Sequence, residues 1–273
     1  MKIEVYEEYI KYLNFFIHRY GDVIKKNEPQ VEAKQDILNK QYMQMIKYAF
    51  GFIQKINLFA IQDYQSQLLF IPQLIFYFND VCECPPPPTL SIDFNVDIEA
   101  LYKLLKNNTQ ITYNQNQYFP FLIDISSLSH GYHHLAGFVH RHKQNQFAYY
   151  CVSIQVKSQE LKGNWKKFYH IPIQKLKLIY KECLQKNQTL YAFATDTEFT
   201  YYEIQKGFNY YFNCSFSEYE QKLKMLKALE LIMFTNAPFK DITIQSGFST
   251  YTTLKRTFAK HQIPLKEIPR LII

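Results

Sequence analysis

Apolar positions recur at helical spacing toward both ends of the chain and collapse into short alternating runs between them. Near the start, Val5, Tyr9, Tyr12, Leu13 and Phe16 share one stripe while Glu7, Glu8 and Lys11 lie opposite, which predicts an amphipathic helix. A second is predicted from about residue 30 to about 58, with Ile37, Met43, Ile46, Phe50 and Ile53 on one face. The first 80 residues are therefore expected to be helical. The segment "CECPPPP", residues 82–88, then breaks the pattern. Four successive prolines fit neither a helix nor a sheet interior, so a stiff polyproline II spacer or a surface loop is predicted there.

Beyond it, Ile98, Leu101, Leu104 and Leu105 mark one more helix. The runs "QITYN", "YFPFLIDI", "HLAGFVH" and "FAYYCVSIQV" read as short strands. The expected fold class is thus mainly α with a small antiparallel sheet, an α+β N-terminal domain over residues 1–157 with the sheet around 110–157. The polar segment 158–172, which contains Gly163, reads as the linker. Residues 173–273 read as an all-α C-terminal domain.

Within that last part a pattern occurs twice, about fifty residues apart: "TLYAFATDTEFTYYEIQKGFNYYF" (189–212) and "PFKDITIQSGFSTYTTLKRTFAKH" (238–261). Each predicts a short helix, a tight turn, a hydroxyl cap and a second helix, which is a helix-turn-helix unit. In the first, Leu190, Phe193 and Ala194 point inward, Phe199 plugs the angle and Thr200 caps. In the second, Phe239 and Ile242 point inward, Gly247 permits the turn, Phe248 plugs, and Ser249 or Thr250 caps. Between them "FSEYEQKLKMLKALELIMF" opens on Ser215 or Ser217 and carries a stripe of Tyr219, Leu223, Leu226, Leu229 and Met233. That helix would be roughly 27 Å long, a rod comparable with one turn of duplex, roughly 34 Å.

These residues resemble the DNA-binding domain of the AraC/XylS family of bacterial transcription regulators. The family's second unit, I-A-x-x-x-G-F-x-x-x-x-x-F-x-R-x-F-K, is matched by Ile242, Gly247, Phe248, Leu254, Arg256 and Phe258. Its first unit is matched by Phe193-Ala194, Thr200 and Ser215-Phe216-Ser217-Glu218-Tyr219. Thr243 stands where the family has Ala, Glu198 where the first turn often has Gly, and Gly207 lies inside the first recognition helix. The resemblance covers about residues 173–268. It implies two recognition helices in successive major grooves of double-stranded DNA, presenting Tyr202, Gln205 and Lys206 from the first and Tyr251, Thr252, Lys255 and Arg256 from the second. It also implies a regulatory N-terminal domain, for which a homodimer, a small-molecule effector or RNA polymerase are the partner classes admitted. An N-terminal metal-binding or enzymatic domain tethered to DNA is the alternative.

Periodicity supports the same faces. With Leu254 and Phe258 buried, Thr252, Lys255, Arg256 and Ala259 fall opposite and Tyr251 at the edge; with Ile204 and Phe208 buried, Tyr202, Gln205, Lys206 and Asn209 face out. Arg and Lys suit guanine, Gln suits adenine, and Thr offers a methyl to thymine. Lys206, Lys222, Lys240 and Lys260 are expected at phosphates, with Glu203 turned sideways or paired with Lys206.

Net charge is +7, and from Ile173 onward 14 Lys+Arg stand against 9 Asp+Glu, so the excess lies where the repeat lies. Seven glycines against 23 Phe and 23 Tyr disfavour an all-β barrel. Cys82, Cys84, Cys151, Cys183 and Cys214 are read as free thiols in a reducing cytoplasm. The longest apolar run, residues 68–78, is too short to span a bilayer, so no membrane association is expected. The histidines of "HGYHHLAGFVHRH" (130–142) lack acidic or thiol ligands at clear spacing and are read as surface or pocket residues. No nucleotide loop, zinc-hydrolase motif or nucleophile elbow occurs, so neither catalysis nor a cofactor is expected.

Overall fold

The structure, a computed structural model, describes residues 3–26, 35–59, 68–79, 118–124, 132–141, 146–156, 171–186 and 188–271. Contacts divide the chain into two compact units. One comprises residues 1–9, 50–65 and 161–268, the other residues 10–49, 66–160 and 269–273. Helices α1 (Ile3–Lys26) and α2 (Gln35–Lys55) both run from one unit into the other.

The fold class expected from the sequence is corrected. Where side chains are described, the chain is all-helical, with no strand among those residues. Helix stripes supply buried residues to each unit: Val5 and Tyr9 of α1 with Phe52 and Ile53 of α2 in the first, and Leu13, Phe16, Ile17, Tyr20 and Ile24 of α1 with Leu38, Tyr42, Met45, Ile46 and Ala49 of α2 in the second. On α2 Leu38 is buried and Ile37 is 53% exposed, one position off the expected face. In the unit that includes residues 66–160, backbone alone traces β1 (Leu68–Asn79), β2 (Tyr118–Asp124), β3 (Tyr132–Arg141) and β4 (Gln146–Val156), antiparallel in the order β1-β4-β3-β2. This is not the arrangement expected around 110–157, because it opens on a segment assigned to the helical first part. A continuous apolar run such as 68–78 does not distinguish helix from strand by period. Pro72 lies where the β1–β4 register shifts, between Ile71 and Leu74, a place where a missing N–H is tolerated.

In the unit of residues 10–49, Tyr20 meets Tyr42 with ring centroids 5.5 Å apart, and its hydroxyl donates to the Leu38 carbonyl at 2.6 Å. In the other unit the C-terminal chain forms α3 (Ile173–Gln185), α4 (Leu190–Thr195), α5 (Tyr201–Phe212), α6 (Phe216–Phe234), α7 (Phe239–Gln245) and α8 (Tyr251–Lys260), with a short 3₁₀ turn at Leu265–Glu267. Helix α6 packs against α5, α7 and α8 together. It is accordingly buried almost all round, including Met225, Ala228, Leu231 and Ile232 outside the expected stripe. An aromatic series fills this unit: Tyr9, Phe59, Phe212, Tyr219 and Phe208 follow one another at centroid spacings of 6.0, 6.0, 4.3 and 5.1 Å. Phe52 closes on Phe258 at 5.8 Å.

Two polar residues knit the N-terminal pieces into this unit. Glu8, expected on a solvated face, is 1% exposed; its carboxylate accepts from Gln174 Nε2 at 2.9 Å and pairs with Lys177. Lys222 is buried and donates to the Asn57 carbonyl. Burial also holds His261 below the ordinary imidazole range, against an opposing hydrogen bond with the Lys55 backbone.

Helix α8 ends on Gln262 at φ 55°, with its N–H on the Ala259 carbonyl and the Ile263 N–H on Phe258. A side chain in this left-handed conformation is strained, and Gly is not. Gln262→Gly is therefore expected to raise stability by about 1 kcal/mol, read as a later denaturation midpoint. Among the described residues no helix is long and apolar enough to cross a membrane.

Candidate nucleic-acid interface

The two repeats form two helix-turn-helix units. In the second, α7 ends at Ser246, then Gly247 takes φ 82°, its N–H bonding the Ile244 carbonyl while the Phe248 N–H bonds Thr243. This pairing satisfies two carbonyls at the helix end and folds Phe248 inward, where it is buried. A Cβ on Gly247 would come within 3.3 Å of Lys224 Cε as well as strain the backbone. Thr250, not Ser249, caps α8 by accepting from the Thr253 N–H at 3.1 Å. Thr243, in the place of the family's Ala, is buried and donates its hydroxyl to the Phe239 carbonyl at 2.6 Å, so no polar group is stranded there.

The first turn works without glycine. The Thr197 hydroxyl lies within donating distance of two carbonyls, Ala194 at 3.2 Å and Phe199 at 3.1 Å. Glu198 points outward and pairs with Lys175 at 3.5 Å. Thr200 caps α5 by accepting from the Glu203 N–H at 3.2 Å, and the Glu203 carboxylate accepts from the Thr200 N–H at 2.9 Å. A second reciprocal cap joins Ser215 and Glu218 at the start of α6. Both follow the S/T-x-x-E pattern, a signal readable in the sequence that accounts for the acidic Glu203 beside the exposed face of α5. Its bonds to Ser215 hold the Glu218 carboxyl below the usual range. That lowered value stabilises the cap above the ordinary carboxylate range, and the effect is lost as pH falls through the folded-state value.

The expected outward residues lie as follows. On α8, Tyr251, Thr252, Lys255, Arg256 and Ala259 are exposed while Leu254, Thr257 and Phe258 are buried. On α5, Tyr202, Lys206 and Asn209 are exposed, with Ile204, Gly207, Phe208, Tyr211 and Phe212 buried. The two helices correspond position by position: caps Thr200 and Thr250, then Tyr202 with Thr252, Gln205 with Lys255, Lys206 with Arg256. Among the described residues none of Lys206, Lys255 and Arg256 is ion-paired. Lys240 and Lys260 are exposed as well.

Two expectations change. Gln205 is half-buried, and both ends of its amide are engaged: Oε1 accepts from the Phe216 N–H at 3.2 Å, and Nε2 donates to the Tyr201 hydroxyl at 3.2 Å. It ties α5 to the first turn of α6 instead of standing clear of the surface. Lys222, expected at a phosphate, is buried on the Asn57 carbonyl.

Cys183 and Cys214 are free and buried, and burial pushes the Cys214 thiol up to about 11, which suits an unreactive core residue. Among the described residues no group of three His, Cys, Asp or Glu is placed to hold a metal ion. The side chains of the histidine-rich stretch, the proline run, Cys82, Cys84, the predicted helix at 97–108 and linker residues 158–170 lie outside the described residues. Compared with family models, curated proteins and solved structures, the chain matches none, and a functional reading rests on its own residues.

Proposed function

We propose that this chain is a sequence-specific DNA-binding transcription regulator of the AraC/XylS type, acting in the cytoplasm. The observation that carries the reading is the pair of capped helices, α5 and α8, with corresponding exposed faces, both packed on one buried helix, α6. Each face combines a cation without an ion pair among the described residues (Lys206 on α5, Lys255 and Arg256 on α8) with groups able to meet base edges. In this reading Tyr202, Lys206, Tyr251, Thr252, Lys255 and Arg256 touch DNA, and Gln205 positions α5. The region ahead of the repeat serves regulation through a second copy, an effector or RNA polymerase.

Selection of bound sequences from random duplexes by the purified full chain tests the proposal; recovery of no motif rejects it. With the motif in hand, Arg256→Ala is expected to weaken specific binding by about 1–3 kcal/mol and to relax preference at one base pair. Its exposed position predicts unchanged folding, so a titration against matched and mismatched sites isolates the readout. Equal affinity and selectivity in the variant would remove Arg256 from the interface.

A further inference from the structure

We propose that the first unit selects thymine through the ring of Tyr202, packed on the 5-methyl group in the major groove. The inference rests on the DNA-binding reading above and names the chemistry of one half of that site. Tyr202 is the second residue after the Thr200 cap, and it is 72% exposed at the centre of the outward face of α5. Steps of 100° place Lys206 and Asn209 within about 40° of it on either side. A Gln on this face would ordinarily read adenine with both ends of its amide, but Gln205 has both ends committed to Phe216 and Tyr201. Lys206 contributes a point charge with no fixed direction. Asn209 lies about two turns farther along the helix, away from the N-terminal residues with which a recognition helix meets base edges, so the group left to discriminate bases there is the ring of Tyr202.

Its surroundings extend that apolar character. Tyr191 and Tyr201 lie with ring centroids 6.1 Å apart and are themselves exposed, so the edge of the face beyond Tyr202 is aromatic. The thymine methyl is the apolar group that a base pair displays in the major groove. The corresponding position of the second unit holds Thr252, also exposed, whose methyl is suited to the same partner. The same position in both repeats thus carries a side chain that fits a methyl group and lacks the fork needed for a purine edge.

The test uses the full chain and its selected duplex, replacing thymine by uracil one position at a time in the half contacted by α5. At one or two positions the loss of the methyl is expected to weaken binding by wild type about fourfold to tenfold. Tyr202→Phe should retain this sensitivity, and Tyr202→Ala should bind thymine and uracil duplexes alike. The proposal is overturned if wild type tolerates uracil throughout that half, or if Tyr202→Ala remains as sensitive as wild type. A ring lying on sugar or on unpaired bases gives the first of those results. Failure of wild type to select any sequence would instead reject the DNA-binding reading beneath it.

Discussion

Phe52→Ala is expected to destabilise the unit that carries both α5 and α8 by about 3–5 kcal/mol. Phe52 belongs to α2, near the other end of the chain, yet its ring lies 5.8 Å from that of Phe258 on the buried side of α8. Both rings are fully enclosed, at 2% and 0% exposure. Removing one leaves a void on the buried side of α8, so transfer and cavity terms add. Urea unfolding followed by circular dichroism measures the loss. Phe15→Ala, at an exposed position, serves as the comparison and should move the midpoint little. A loss below about 1 kcal/mol for Phe52→Ala would mean that the start of the chain is not part of this core.

The second large effect is electrostatic. Lys177→Ala is expected to destabilise by about 3 kcal/mol, because it takes the paired cation away from the enclosed Glu8 carboxylate. Lys177 is itself only a third exposed, so its stem also covers surface that truncation to Ala uncovers. The discriminating comparison is the double variant Glu8→Leu with Lys177→Met, which removes both charges and should recover most of the stability. If the double variant were as unstable as the sum of its singles, the loss would come from packing and the ion pair would contribute nothing.

What could be read from the sequence, and what could not, divides along a physical line. The outward faces of α5 and α8 were legible because a helix stripe and a hydroxyl cap are local signals: Ile204, Phe208, Leu254 and Phe258 are buried where the period put them. Glu8 and Lys222 were illegible for the opposite reason. Each looks solvated within its own helix, and each is buried by a partner far along the chain, 169 residues away at Lys177 and 165 at Asn57. Gln205 was misassigned by a subtler version of the same effect, since its partner is a backbone N–H, which has no sequence signature. The run 68–78 failed at the level of period itself, being apolar at too many successive positions for spacing to choose a structure.

The composition of the unit from residues 1–9, 50–65 and 161–268 has a consequence for how the protein is made. A ribosome releases Phe52 and Phe59 well before their ring partners Phe258 and Phe212. About 200 residues separate Phe52 from Phe258, which at roughly 5–20 residues per second leaves apolar rings waiting on the order of 10–40 s. During that interval the nascent chain offers exposed aromatic surface that a chaperone can hold. A chain whose synthesis stops early keeps those rings uncovered, so truncated products should be aggregation-prone and quickly degraded, and the packing of α5 and α8 on α6 should be complete only after α8 has emerged.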